Sequence, residues 1–450
     1  MKATSIEIIE ILKKAGHEAY WAGGCVRDML IGVEPKDFDI VTSAKPEEIE
    51  NLLEHTIPIG KQFGVILAIK NNHHFEIATF RSDGGYSDGR RPDAVEFKTA
   101  KEDALRRDFT INGMFYDPTK DEIIDYIKGQ EDLRDKLIRF IGDPEKRILE
   151  DHLRILRAVR FKNTLGMQYH PETYQAIKKH AHLVKNISSE RVADELNKMI
   201  MSSHPAQAFE DLFEIGALEI LIPELCKLKG LAQPLMYHKE GDVWDHALAA
   251  LSALTDEEID PNPLPAEPPT LALKWATLMH DIGKYDTFMQ DEERIRYDKH
   301  AEVGADIASK ILNRLKFPKK TVDRVHWLIE HHMMVVPLME MNAGRRRHWF
   351  LQPGFEELLE VYRADAAGTQ PIGLEEYDKI KKLYRSEIAK LKLMPKQLLS
   401  GKEIMEILNI KEGQKVGEIL AQIKEKQLDG ELKTKKAAIA FVQNIPNLTD

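Results

Sequence analysis

Cysteine is nearly absent: Cys25 and Cys226 are the two in 450 residues. Two thiols cannot build a disulfide framework, and their scarcity fits a reducing cytoplasm. Cys25, set between a glycine and a valine in a turn, reads as a small buried residue rather than a nucleophile. No apolar run approaches the roughly 20 residues that a membrane span needs. The opening Met1-Lys-Ala-Thr-Ser begins an amphipathic stretch without the apolar core of a signal peptide. Internal repeats and long low-complexity tracts are missing too. So is an excess of positive charge, since the formal net charge is −10. That excludes a generally basic nucleic-acid binder, and any RNA contact must use a local basic surface. Neither DNA nor a membrane is an expected partner.

The composition is that of a folded protein, 43% hydrophobic and 31% charged, and the length allows three or more compact units. One stretch near the start organises the rest: Trp21-Ala-Gly-Gly-Cys-Val-Arg-Asp28, running on to Lys36-Asp-Phe-Asp-Ile40. Gly23 and Gly24 form a turn whose N–H groups can approach a phosphate, with a helix-compatible run behind them. Asp37-Phe38-Asp39 reads as strand-like, so the two aspartates share one face and Phe38 takes the other. Paired carboxylates make a seat for Mg²⁺, and two such ions align an attacking oxygen with a triphosphate. A glycine turn or a DxD pair alone would be unremarkable; thirteen residues apart they reinforce each other.

Further along, residues 1–18 and the stretch from Ser43-Ala-Lys-Pro46 read as helices, and 64–69 and 75–80 as strands. Glu76, on the second strand, is a candidate third carboxylate. The segment from Arg81 to Pro92 is rich in glycine and charge and reads as a surface loop. Arg106 and Arg107 could make charge-assisted bonds to a triphosphate, and Asp108 could accept from a ribose hydroxyl. A single helix is expected from Asp143, with Pro144 at its first position, to about Asn163. On such a helix Asp151, Arg154 and Arg157 share a flank, while Arg160 drifts to the far side.

Downstream, His246, His280-Asp281 and Asp365 offer imidazoles and carboxylates suited to Mn²⁺, Ni²⁺, Mg²⁺ or Zn²⁺. His300 and His331-His332 could add ligands or contact phosphate. Toward the end, Lys411, Lys415, Lys424, Lys426, Lys433, Lys435 and Lys436 form either a solvated face or phosphate contacts.

The ordered set Gly23-Gly24-Cys-Val-Arg27-Asp28, Asp37-Phe-Asp39, Arg106-Arg-Asp-Phe-Thr-Ile-Asn112 and Glu150-Asp-His-Leu-Arg154 resembles the class II tRNA nucleotidyltransferase and bacterial poly(A) polymerase family. The H…HD…D order, with His280-Asp-Ile-Gly-Lys284, resembles the HD phosphohydrolases. The resemblance covers nearly the whole chain and implies an α+β fold. A nucleotidyltransferase head with a mixed sheet (1–141) precedes an all-α neck (142–205), an HD body (206–390) and a helical tail (391–450). It implies addition of C, C and A to the 3′ end of tRNA from CTP and ATP, with Mg²⁺ on Asp37 and Asp39 and contacts to the acceptor end and the elbow. Gly23, Gly24, Arg27, Arg107, Asp108, Asn112, Arg157 and Arg160 would then bind nucleotide.

The same resemblance makes Asp151 and Arg154 a protein template. The carboxylate would accept from the exocyclic amine that C and A share, and the guanidinium would donate to the adjacent ring nitrogen. U and G would leave both groups unpaired, at about 1–3 kcal/mol each. The Arg81–Pro92 loop would take part in switching from C to A addition. An A-adding enzyme of a split CC/A system shares every one of these motifs. A bacterial poly(A) polymerase fits less well, because Gly60-Lys-Gln-Phe-Gly64 and the HD region look like the tRNA enzymes. From another class, an HD phosphohydrolase with an RNA-binding head is the alternative.

Overall fold

A computed structural model describes residues 1–84, 89, 95–234, 239–256, 264, 268–291, 295–391, 397–411, 413–428 and 431–445. The chain divides into two compact units, Met1–Cys226 with Arg314–Phe317, and Lys227–Asn313 with Pro318–Asp450.

The first unit opens with α1 (Lys2–Lys14), β1 (Ala19–Ala22), α2 (Gly24–Leu30), β2 (Ile40–Thr42), α3 (Pro46–Leu52), β3 (Thr56–Gly60), β4 (Val65–Lys70) and β5 (His73–Thr79). A small hairpin, β6 (Arg81–Asp83) and β7 (Val95–Phe97), leads to α4 (Ala100–Arg106), β8 (Phe115–Asp117) and β9 (Glu122–Ile124). Seven strands form one mixed sheet in the order β3-β4-β5-β2-β1-β8-β9. Only β2 and β5 pair in parallel within it. Strand alternation sends β1 side chains to two cores. Trp21 is fully buried and donates to Ser5 Oγ of α1 at 3.0 Å. Ala22 joins Val41, Phe80 and Phe115 against Ala100 and Ala104 of α4. Helices thus cover both faces of the sheet's centre.

Helices follow: α5 (Gly129–Arg134), α6 (Pro144–Glu150), α7 (Arg154–Thr164), α8 (Pro171–His180), α9 (Ser189–Ile200), α10 (Pro205–Glu214), α11 (Ala217–Leu221) and α12 (Pro223–Cys226). Asp143 caps α6 as expected, accepting from Glu145 N at 3.0 Å. The single helix expected from 143 to 163 is instead two. Asp151 takes extended backbone angles (φ −145°, ψ 106°) and its carboxylate accepts from Leu153 N at 3.1 Å. A side-chain acceptor of this kind competes with helix continuation.

The second unit is built on α13 (Val243–Ala253), α14 (Leu271–Met279), α15 (His300–Arg314), α16 (Lys319–His331), α17 (Ala343–Phe350), α18 (Phe355–Gly368) and α19 (Glu375–Leu391). There α13 packs on α14 and α18, and α14 on α16. Gly283 lets the turn after α14 rest on α15, since a Cβ there would fall 2.1 Å from His300 O. A small separate core, including Leu399, Ile404, Val416, Ile423 and Val442, joins α20 (Gly401–Leu408), α21 (Gln414–Leu428) and α22 (Lys435–Gln443). Among the described residues no helix is long and apolar enough to cross a membrane.

Candidate active site

Sheet register brings the first two motifs together. Trp21 of β1 faces Ile40 of antiparallel β2, so the chain leaves β1 where it enters β2. Gly23-Gly24 and Asp37-Phe38-Asp39 therefore meet at one end of the sheet, with Ala22 N donating to Asp39 O at 3.0 Å. The aspartates precede β2 rather than lying on it. Their shared direction survives because Phe38 is buried against Trp21, ring centroids 4.7 Å apart. The parallel pairing of Ile40 with Ile77 adds Glu76 to the same end.

Asp37, Asp39 and Glu76 line one cavity of about 800 Å³. Burial first, then the charges of Asp37 and Glu76, push the Asp39 carboxyl up to about 6, with Arg107 only partly opposing them. Three oxygen donors whose charges repel one another fit a hard divalent cation.

Arginines line the same cavity, and buried acids hold them. Arg107 and Arg106 share Asp103 at 3.1 and 2.7 Å. Arg107 also passes beside Gly23, where φ is +71° and a Cβ would lie 3.2 Å from its Nη1, so this position requires glycine. Arg27 donates to Asn112 Oδ1 at 2.7 Å and to Asp28. Asp108 accepts from Arg157 Nε at 2.7 Å, Phe109 N and Asn112 Nδ2. Burial alone would raise Asp108, but Arg157 and Arg154 outweigh it and hold the carboxyl at about 2. Arg27, Arg157 and Arg160 all lie over the Phe161 ring, the last at 4.0 Å. Arg160 thus lines the cavity after all, on the same helix as Arg154 and Arg157 and paired with Glu195 at 2.6 Å.

Asp151 and Arg154 both face the cavity, each already engaged. Arg191 grips Asp151 with two bonds, Nη1 to Oδ1 at 3.1 Å and Nη2 to Oδ2 at 2.8 Å. Arg154 Nη1 donates to Glu150 at 2.5 Å and to Arg147 O, while Nη2 reaches Arg106 O.

In the second unit, His246, His280 and Asp281 bring ligand atoms within 4.8 Å of one another, as do Asp281, His300 and His332. Asp365 Oδ1 is 3.0 Å from His246 Nε2, and Glu240 Oε1 is 3.1 Å from His246 Nδ1. Lys284 Nζ lies 2.6 Å from Asp281. His280 Nε2 is buried and turned toward the cluster, 3.2 Å from Asp281 Oδ2. Burial opposes charge on His280, but Asp281 and Asp365 raise its pKa to about 10, whereas burial and then His280 lower His332 to about 4. His331 does not join: its ring packs between Trp327 and Trp349.

Comparison with known proteins follows the same division. Residues 19–139 match the poly A polymerase head domain, 166–229 the probable RNA and SrmB-binding site of polymerase A, and 243–366 the HD domain. A CCA-adding enzyme of Bacillus velezensis is 30% identical over 442 residues, covering 96% of this chain and 95% of its own. One from Geobacillus stearothermophilus is 31% identical, covering 97% and 95%. The chain belongs to the CCA-adding enzyme family. A crystal structure of the Bacillus stearothermophilus CCA-adding enzyme in complex with CTP superposes with a TM-score of 0.71 at 28% identity, covering 97% of this chain and 95% of that one.

Against that family background, Arg191, Lys198 and Phe161 are cavity residues that sequence reasoning missed. Arg191 and Lys198 lie on α9, which signals only a helix opening at Ser188 and reaches the cavity through tertiary packing. Around the histidine cluster Glu240 was missed, and Lys284, quoted as the end of the His280–Lys284 motif, was given no role although it meets Asp281 three residues away. Most of the Arg81–Pro92 loop lies outside the described residues. Of the tail lysines, Lys426 pairs with Glu431 and Lys435 with Glu403.

Proposed function

We propose that this chain adds C, C and A to the 3′ end of tRNA from CTP and ATP, releasing pyrophosphate, without a nucleic-acid template. The observation that carries the proposal is one cavity lined together by three carboxylates, a set of arginines and the pair Asp151 and Arg154. Mg²⁺ on Asp37 and Asp39, with Glu76 beside them, would supply Lewis-acid activation of the 3′-hydroxyl and of the departing pyrophosphate. Gly24, Arg27 and Arg107 would hold the triphosphate, and Asp108 with Asn112 the ribose. Asp151 would read the base through Oδ2, which has a lone pair beyond its bond to Arg191; Oδ1 already accepts from Arg191 and Leu153 N. Arg154 presents the Nε edge of its guanidinium, since its bonds among the described residues use Nη1 and Nη2. The elbow of tRNA would meet the tail, and cytoplasmic residence follows from the substrate.

The histidine cluster would hold a divalent cation, Mn²⁺, Ni²⁺ or Mg²⁺, and hydrolyse a phosphate ester at an RNA end. Its donor set fits: imidazole nitrogens and a carboxylate with ligand atoms within 4.8 Å of one another suit a borderline divalent ion.

The test uses purified protein, Mg²⁺ and two tRNA transcripts, one lacking CCA and one ending in CC. Each receives labelled CTP, ATP, UTP or GTP alone, then CTP with ATP. Extension of the first transcript by C, C and A is the expected result. Addition of a single A to the CC-ended transcript alone would make the chain an A-adding enzyme. Long A tails on unrelated RNA would make it a poly(A) polymerase. No incorporation would overturn the proposal.

A further inference from the structure

Among the described residues that line the candidate active-site cavity, Phe161 is the only aromatic one. It has no group that could hydrogen-bond a nucleotide, yet three guanidiniums gather on its ring. Arg27 lies 5.1 Å from the centroid, Arg157 5.2 Å and Arg160 4.0 Å. Arg27 comes from α2, whereas Arg157 and Arg160 share α7 with the ring. Residues one apart on a helix do not ordinarily face each other, so Arg160 folds back to meet its neighbour. The ring itself is fixed from behind. Phe161 is buried and meets Phe109 edge-on at 5.7 Å, and Phe109 stacks on Phe140 at 4.8 Å.

Each guanidinium is gripped twice. Asn112 holds Arg27 at 2.7 Å, Asp108 holds Arg157 at 2.7 Å and Glu195 holds Arg160 at 2.6 Å. A bond at one edge lets a guanidinium swing about it, and contact with the ring removes that freedom. Like charges this close also repel: burial lowers the pKa of Arg160, Glu195 opposes it, and Arg157 adds to the lowering. The negative face of an aromatic ring offsets part of such repulsion. Among the described residues no acceptor meets Nη1 or Nη2 of Arg160, so that end of the side chain is open to a ligand. We infer that Phe161 is a positioning residue for the triphosphate, its ring holding Arg27, Arg157 and Arg160 as one preformed anion cradle. The inference rests on the reading of this cavity as a nucleotidyltransferase site and adds a residue that acts through the arginines. A triphosphate carries several negative charges, and arginines already gathered need little further ordering when it arrives.

The test compares Phe161→Leu, which keeps an apolar side chain and loses the ring face, with Phe161→Tyr, which keeps the face. Incorporation of CTP and ATP into tRNA transcripts gives kcat and KM, and equilibrium dialysis without RNA gives the affinity for ATP and for AMP. In Phe161→Leu the KM for both triphosphates should rise about 10-fold, with kcat and the KM for tRNA within about 2-fold. ATP binding should weaken by the same factor and AMP binding should not change. Phe161→Tyr should behave like the unsubstituted protein; if it matches Phe161→Leu instead, the ring face has no role and the inference falls. Equal losses for ATP and AMP would overturn it by placing the arginines on the nucleoside. A rise confined to the KM for tRNA would overturn it by assigning them to the RNA. Unchanged constants in Phe161→Leu would show that the acids alone hold the arginines. Absence of incorporation by the unsubstituted protein, with ATP binding still weakened in Phe161→Leu, would sink the enzymatic reading and keep the cradle. Phe161→Met gives the same comparison where the leucine variant does not fold.

Discussion

Asp39 shows how a reacting group is held ready at a cost to the fold. Its carboxyl rises from 3.8 to about 6 on folding, through burial and the charges of Asp37 and Glu76. A carboxyl raised on folding favours the protonated form in the folded state, so its ionisation weakens the fold as pH climbs from about 4 to about 6. Asp39→Asn should therefore raise the melting temperature at pH 7.5 without Mg²⁺, and the gain should fade as pH falls toward 4. Saturating Mg²⁺ should reverse the order, because an ion bound only by the folded form stabilises the protein that still carries the carboxylate. Melting curves across pH, with and without Mg²⁺, check both signs. The same variant should lose nucleotide addition by about a thousandfold or more, since electrostatic stabilisation at the reacting phosphate carries this chemistry. A variant that melts lower at every pH would show that Asp39 is not repelled in this way.

At the scale of elements, the gap between α6 and α7 matters more than either helix. Apolar residues Ile148, Leu153, Ile155, Leu156 and Val159 keep a helical rhythm straight through it, which is why periodicity predicts one helix. The break arises from a local competition, the Asp151 carboxylate on Leu153 N, and from a tertiary one, Arg191 reaching in from α9. Neither leaves a mark on hydrophobic spacing. The strands around Asp37 and Glu76 were legible for the opposite reason, since alternation and glycine turns are local signals and register follows from the buried Phe38 and Trp21. Cavity residues from a single motif could be read in advance, whereas Arg191, Lys198 and Glu240 become neighbours only through packing. Arg191 is then a positioning residue for base choice. Replacing it with Ala should lower CTP and ATP incorporation by about 10-fold and narrow discrimination against UTP and GTP by about 5- to 150-fold, the equivalent of about 1–3 kcal/mol for an unaimed hydrogen-bonding group. Arg191→Lys should restore only part of that discrimination, because a lysine cannot span both carboxylate oxygens. Single-nucleotide incorporation assays with all four triphosphates measure the ratio, which a loss of stability alone would leave unchanged.

For the whole molecule, the net charge of −10 coexists with a cavity wall of arginines because the cations are gathered rather than abundant. Each of the two centres is also assembled within one unit. The nucleotide cavity draws on residues from Gly23 to Lys198, and the histidine cluster on residues from Glu240 to Asp365. No side chain serves both, so the two chemistries should be separable by single substitutions. Asp37→Ala should abolish nucleotide addition and leave cation-dependent release of phosphate from a phosphomonoester intact. His280→Ala should do the reverse: it removes a buried ligand while Lys284 still neutralises Asp281, so the fold survives. Both activities are measured on the same three preparations, at equal protein and in Mg²⁺ with and without Mn²⁺. Loss of phosphate release in Asp37→Ala would place hydrolysis in the head cavity. Loss of nucleotide addition in His280→Ala, with an unchanged melting curve, would mean that the second unit is required for the reaction of the first.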